Sequence, residues 1–304
     1  VPGLVWQFAG QGTLKVGVAE EMWRSEPAFR ASLLRCGRVI QARLGVDVAE
    51  ILYPSSGGMA AAEAEAVLKQ TKYGQSILVA LEYSMAVVYR SRGVSPALLL
   101  GHSLGEYVAA MLGGVFSVED GMLLACERGR LMQECDGCRG SMIAVGAAAD
   151  SVRVAIKTAG VGATVSIGAI NGSSGVVLSG DSVDTQLVLA QLPQAWSKPL
   201  AVSHAFHSPL MRHMVAAYED VLATVEFRVP PVTTGSRMVS TVLGRAVEWA
   251  EICCAEYWVR HILQPVLYLA AVEASATLGG TRYVELGPDL TLTTLSQRAL
   301  CKPG

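Results

Sequence analysis

The chain has 304 residues, 51% hydrophobic and 16% charged, which is enough apolar material for one large core or two smaller ones. A formal net charge of −2 and a pI near 6.3 exclude the broadly basic surface that attracts nucleic acid. No apolar run approaches the ~18 residues of a membrane helix, and no basic segment leading into an apolar signal core is present, so a cytoplasmic protein with no membrane partner is expected.

Seven cysteines, at 36, 126, 135, 138, 253, 254 and 301, are odd in number and irregular in spacing. They fit reduced cytoplasmic thiols better than a disulfide framework. Cys135-Asp-Gly-Cys138 has CxxC spacing, but no second Cys or His pair accompanies it, and no metal site is expected. The opening Val-Pro-Gly, without Met, and the closing Lys-Pro-Gly fit both a domain of a longer polypeptide and a trimmed free-standing protein.

In chain order, residues 5–8 form a short apolar strand that runs straight into Ala9-Gly10-Gln11-Gly12. A polar and charged helical region follows over about 18–44. Residues 71–90 carry apolar side chains at helical period without proline, which predicts a mostly buried helix. Residues 95–100 are a strand entering Gly101-His102-Ser103-Leu104-Gly105. Helices over 106–112 and 118–133 follow, divided by Gly113-Gly114. This alternation predicts an α/β sheet with parallel strands. From Gly140 the texture changes. Short small-residue strands at 141–145, 165–170 and 175–179 alternate with helices at 148–159 and 183–192. Such a β-α-β-β-α order over about 60 residues suggests part of a ferredoxin-like α+β insert. Residues 196–202 then return to the main domain. A strand at 282–286 stopped by Gly287-Pro288, and a last helix, complete the chain.

Gly101-His102-Ser103-Leu104-Gly105 has the layout of a nucleophile elbow, in which a serine sits on a sharp strand-to-helix turn with its hydroxyl exposed. The alternative is a serine that only caps the helix. As a nucleophile, Ser103 needs a base, and there are five histidines: 102, 204, 207, 213 and 261. His207 precedes Ser208-Pro209 at the end of an apolar stretch, a loop position where catalytic groups tend to sit. An oxyanion hole needs two backbone N–H groups. Leu104, after the serine, and Gln11, in the early glycine-flanked turn, can supply them.

Five segments occur in order: Phe8-Ala-Gly-Gln-Gly12, Gly101-His-Ser-Leu-Gly-Glu106, Arg128-Gly-Arg-Leu-Met-Gln133, His204-Ala-Phe-His-Ser-Pro-Leu-Met211 and Glu285-Leu-Gly-Pro288. Together they resemble the acyltransferases of polyketide and fatty acid synthases, the malonyl-CoA:acyl carrier protein transacylases. The resemblance implies an α/β-hydrolase-like large subdomain over residues 1–138 and 199–304, and a small ferredoxin-like subdomain inserted over 139–198. It makes Ser103 the acylated nucleophile, His207 the base, and Gln11 and Leu104 the oxyanion-hole residues. Arg128 becomes the arginine that holds the free carboxylate of the extender unit. Gln75, His204, Phe206 and Met132 belong to the substrate pocket, and the main-chain carbonyl of Gln264 steadies the histidine. Asn171-Gly172 matches a turn of the small subdomain. No cofactor is implied beyond the substrates, malonyl-CoA and the phosphopantetheine of an acyl carrier protein. That carrier protein is the expected partner, with a neighbouring ketosynthase in the same polypeptide if the domain is embedded.

A guanidinium offers two parallel donors to a carboxylate, which malonyl has and acetyl lacks. Read without the other motifs, Arg128 equally suits a surface ion pair with Glu127 or Glu134. In the resembled family, His-Ala-Phe-His accompanies malonyl preference and Tyr-Ala-Ser-His methylmalonyl preference. Here Phe206 would fill the space of an α-methyl group, and Leu104 stands where methylmalonyl enzymes often carry Gln. Two departures from the pattern stand out. Residues 13–17 replace the usual Ser-Gln and aromatic or Pro. His261, Leu263 and Leu267 replace Asn, Arg and Arg, which points to altered packing against a neighbouring domain. A serine hydrolase or thioesterase remains the alternative, with Asp120, Asp150, Asp181 or Asp184 as the third member of a triad. A non-catalytic docking domain is the second.

Overall fold

The computed structural model describes residues 1–12, 14–54, 58–231 and 235–301. Thr13, in the loop that departs from the family pattern, and the closing Lys302-Pro303-Gly304 lie outside them. Nine strands are formed among the described residues: β1 (Leu4–Phe8), β2 (Leu98–Gly101), β3 (Ser141–Val145), β4 (Val165–Gly172), β5 (Gly175–Gly180), β6 (Ser197–Pro199), β7 (Arg237–Ser240), β8 (Arg245–Ala246) and β9 (Arg282–Glu285). They divide into a five-stranded sheet of order β8-β7-β2-β1-β9 and a four-stranded sheet of order β4-β5-β3-β6.

In the larger sheet β1 runs parallel to both β2 and β9, and β2 parallel to β7; only the edge strand β8 is antiparallel. Strands buried on both faces read as continuous apolar runs, and all five residues of β1 and all four of β2 are buried. Parallel neighbours need long crossovers. The crossover from β1 to β2 contains the helices Pro27–Leu44 and Thr71–Ser91, which pack on each other and on Val118–Glu134. The charged helical region expected over 18–44 consists of two helices, Glu20–Ser25 and Pro27–Leu44. Glu26 between them is extended, at φ −108° and ψ 100°, because proline pushes the residue before it out of the α region.

Register sets up the site. Phe8 of β1 lies beside Gly101 of β2, so the two strands end at the same level. The loops after them, residues 9–12 and 102–104, therefore emerge side by side at the carboxyl ends of the strands, where ligands of open α/β sheets bind. The His102 N–H donates to the Phe8 carbonyl at 2.9 Å and ties the loops together.

The smaller sheet is antiparallel throughout, with helices Ala149–Ala159 and Ser182–Ala190 between its strands, a β-α-β-β-α-β unit. One expectation changes here. Residues 196–202 do not simply lead back to the main domain, because Ser197–Pro199 forms the fourth strand, pairing Val145 with Ser197 and Ile143 with Pro199. Three exposed residues ending in proline carry no alternation to read, and an edge strand is where proline is tolerated. Alternation along β3 separates two faces. Ile143 and Val145 join Val152, Val176, Leu178 and Val188 in a second core, while Met142 and Ala144 turn toward the larger sheet. The lobes are joined by main-chain bonds: Ile170 N–H to the Val266 carbonyl at 2.8 Å and Val266 N–H to the Gly168 carbonyl at 2.9 Å.

A Cβ added at Gly105 would lie 2.2 Å from the Phe8 carbonyl oxygen. Gly105→Ala is expected to destabilise the protein in urea unfolding, toward the upper end of the ~1–3 kcal/mol typical of overpacking. Gly162→Ala, whose nearest neighbour would be a side-chain methyl at 3.9 Å, is expected to stay within ~0.5 kcal/mol of wild type.

Candidate active site

Ser103 occupies the turn between β2 and the helix Gly105–Gly113 with φ 50°, a left-handed conformation unusual for a residue with a side chain. Its Oγ lies 2.6 Å from Nε2 of His207, which itself has φ 58°. The other ring nitrogen, Nδ1, lies 2.9 Å from the Gln264 carbonyl oxygen. A carbonyl only accepts, so Nδ1 carries the hydrogen and Nε2 presents a lone pair to the serine. The Ser103 hydroxyl is then the donor. Burial, and after it the charge of Arg128 and the neighbouring His261 and His102, hold the His207 pKa well below that of a free imidazole.

Among the described residues no carboxylate completes a triad at Nδ1. The four aspartates open to that role are engaged elsewhere. Asp120 accepts from Ser117, Asp150 pairs with Arg153 at 2.6 Å, Asp181 caps the helix Ser182–Ala190, and Asp184 accepts from Thr164. The Gln264 side chain is exposed, in keeping with a role for its carbonyl alone.

The Ser103–His207 pair opens into a cavity of about 280 Å³, which Gln11, Gln75, Leu104, Arg128 and Phe206 also line. Neither the Gln11 N–H nor the Leu104 N–H has an acceptor among the described residues. The site thus has two free main-chain donors beside the serine, and Leu104 stands at the N-terminus of a helix, where partial positive charge gathers.

Arg128 is 2% exposed, and its Nη1 donates to Gln75 Oε1 at 2.5 Å. Its Nε is buried without a partner. The surface ion pair left open by the sequence does not form. Arg130 takes both acids instead, Glu127 at 2.8 Å and Glu134 at 2.6 Å. Residues 127, 130 and 134 share one helix face, and Arg128 is turned about 100° from Glu127. A buried cation without a counter-ion is costly, so this guanidinium has an electrostatic deficit that a bound anion would fill. Gln75 extends the network, donating through Nε2 to Gln11 Oε1 at 3.0 Å.

Two residues expected in the pocket stand behind it. Met132 Sδ receives Gln75 Nε2 at 3.4 Å, and His204 contacts Thr71 Oγ1 at 3.4 Å and stacks on Phe206 with ring centroids 6.0 Å apart. Both touch lining residues and do not themselves line the cavity.

Sequence reasoning missed other residues of the site. His102 and Asn171 line the cavity and meet at 2.9 Å, so the segment expected only as a turn reaches the larger sheet. His261, expected at a domain surface, is 1% exposed and bonds the Ser103 carbonyl at 2.9 Å. The buried residues Tyr257, Trp258, His261 and Ile262 follow helical spacing, and that pattern was the available signal. Among the described residues no group of three or more His, Cys, Asp or Glu is placed to hold a metal ion, and no helix is long and apolar enough to cross a membrane.

Comparison with known proteins agrees with this geometry. Residues 5–302 match the acyl transferase domain family. The spectinabilin polyketide synthase system protein NorB of Streptomyces orinoci is 34% identical over 306 residues, covering 98% of this chain but 13% of that protein. The chain therefore spans about an eighth of that relative's length. The acyltransferase domain from the second module of the salinomycin polyketide synthase superposes with a TM-score of 0.87 at 32% identity, over 100% of this chain and 67% of the other. An acyl carrier protein S-malonyltransferase from Vibrio cholerae gives 0.86 at 26% identity, over 98% and 94%. An α/β lobe and a small antiparallel lobe enclosing a Ser–His pair and a buried arginine, with a family match across nearly the whole sequence, place this chain in the acyl transferase domain family found in polyketide synthases.

Proposed function

We propose that this chain moves a malonyl unit from coenzyme A to the phosphopantetheine thiol of an acyl carrier protein, through an ester on Ser103, as part of polyketide biosynthesis in the cytoplasm. The observation that carries the reading is Arg128, a buried guanidinium without a counter-ion in the same cavity as the serine and histidine. It suits an acyl group that ends in a carboxylate.

In this reading the Ser103 proton passes to His207 Nε2 as Oγ attacks the thioester carbonyl. The carbonyl oxygen becomes an oxyanion between the N–H groups of Gln11 and Leu104. The C–S bond then breaks, His207 returns the proton to the departing CoA thiolate, and malonyl-Ser103 remains. The carrier's thiol gives its proton to His207, attacks the ester and leaves with the malonyl group, restoring the Ser103 hydroxyl. Residues 1–138 and 199–304 supply the reacting groups. Residues 139–198 roof the acyl group with Met142, Ala144 and Val177. Phe206 lies on the cavity wall and favours malonyl over methylmalonyl, a difference of one methyl group worth ~1–3 kcal/mol.

Incubation with mixed acyl-CoAs followed by intact-protein mass spectrometry is expected to show a malonyl adduct that disappears in Ser103→Ala. Hydrolysis of malonyl-CoA faster than transfer to a carrier thiol would overturn the transferase reading in favour of a thioesterase. Arg128→Ala is expected to slow malonyl loading by about 100-fold or more, as befits losing a buried charge pair, while acetyl loading is spared. Equal loading by acetyl and malonyl groups in the wild type would sink the carboxylate clamp.

The pH profile gives an independent check. A base whose pKa is depressed stays neutral, hence competent, at pH values below that of a free imidazole. The kcat/KM for malonyl loading is expected to stay level from about pH 8 down through the ~6.5 of an unperturbed histidine and to fall only at lower pH. An acid limb centred at or above ~6.5 would contradict the role given to His207.

A further inference from the structure

We propose that His261 is a positioning residue, which sets the direction and strength of the Leu104 N–H as an oxyanion donor by gripping the peptide that joins Ser103 to Leu104. This rests on the reading of Ser103 and Leu104 given above. His261 lies on the helix Ala255–Leu263, and its Nε2 is 2.9 Å from the Ser103 carbonyl oxygen. That oxygen only accepts, so Nε2 carries the hydrogen. Burial, then the charge of Arg128, pushes the ring's pKa down to about 3 and keeps it neutral. The ring is held in place by Tyr107, edge-on at 5.2 Å and 89°, and by Trp258 at 5.6 Å.

The Ser103 carbonyl and the Leu104 N–H are opposite ends of one planar trans amide. Fixing the direction of one fixes the other. Ser103 sits in a sparsely populated backbone region, so this peptide has a reason to relax that its neighbours lack. A hydrogen bond to the carbonyl also polarises the amide and strengthens its N–H as a donor, by ~10–30% per bond.

Simple satisfaction of a buried carbonyl does not account for the arrangement. The Ser103 oxygen already accepts from the Glu106 N–H at 2.9 Å. The imidazole adds a second bond there and leaves its own Nδ1 buried without a partner. An unpartnered buried nitrogen is a cost, which is offset if the other nitrogen acts on the reaction.

The test compares His261→Gln with His261→Met, side chains of similar length and shape of which only glutamine can donate. Rapid-quench loading with malonyl-CoA separates the acylation rate from KM. The Met variant is expected to acylate about 10-fold more slowly, less than the ~10²–10³ lost on deleting a donor outright. Its KM should stay within about twofold, since the effect is confined to the transition state. The Gln variant should recover most of the rate. A trifluoromethyl ketone analogue of the thioester, whose adduct places an oxyanion between the donors, should bind more weakly to the Met variant alone. Equal rates for the two variants, or a change confined to KM, would overturn the proposal. If the Met variant does not fold, His261→Asn and His261→Leu form a second donor and non-donor pair, read the same way. A wild type that takes no acyl group on Ser103 marks instead the failure of the functional reading beneath it.

Discussion

The site depends on one close approach. Gly105 packs so tightly on the end of β1 that nothing larger than hydrogen fits against the Phe8 carbonyl, and Gly101 is pressed as closely against the start of the following helix. The chain between these glycines has to turn from strand to helix within three residues. Ser103 takes up the strain with a left-handed backbone, a conformation that costs an ordinary residue roughly 1–2 kcal/mol. The reward is position. The hydroxyl stands beyond the sheet, the next N–H opens a helix, and the loop after β1 is brought alongside with its own free N–H. The placement of the Ser103 hydroxyl and of both free N–H groups follows from a single packing constraint between two parallel strands.

Electrostatics around that turn are set by burial more than by pairing. Arg128 is the only permanent charge among the described residues lining the cavity, and no carboxylate faces it there. Burial keeps His102, His207 and His261 neutral, and the charge of Arg128 adds to it at His207 and His261. His207 is oriented by a main-chain carbonyl in place of the ionised aspartate of a triad. Such a base gains less help in bearing a positive charge. Thiol chemistry makes smaller demands on it, since a thiol with a pKa near ~8.5 is a far better leaving group than an amine. A dyad would thus be adequate for the proposed exchange between a thioester and an ester.

The small lobe contributes shape. The two-residue period of β3 sends Ile143 and Val145 to the lobe's own core and Met142 and Ala144 to the cavity roof. The irregular register of β4 against β5 brings Gly168 and Ala169 into the same lining. The bonds from Gly168 and Ile170 to Val266 hold that roof over the serine. Asn171 closes the inner edge on His102. These contacts run between segments far apart in the chain, 69 residues for His102 and Asn171, so neither partner announces the other.

What the sequence determined by itself is local. The elbow around Ser103, the parallel strands and the buried helix over Thr71–Ser91 are written in glycine placement and hydrophobic period, which act over a few residues. The order of five motifs added the family. Tertiary structure decided the rest. Composition could not separate His207 from four other histidines, because a base is selected by where its loop lands. It could not tell whether Arg128 or Arg130 would meet the nearby glutamates, because helical phase against the core is set by packing. The family resemblance placed His204 and Met132 in the pocket, and they stand behind it. The sequence assigned no role to His261, which burial brings beneath the peptide that follows Ser103. Depth in a core and contact across distant segments exist only once the chain has closed on itself, and those two properties tune every group at this site.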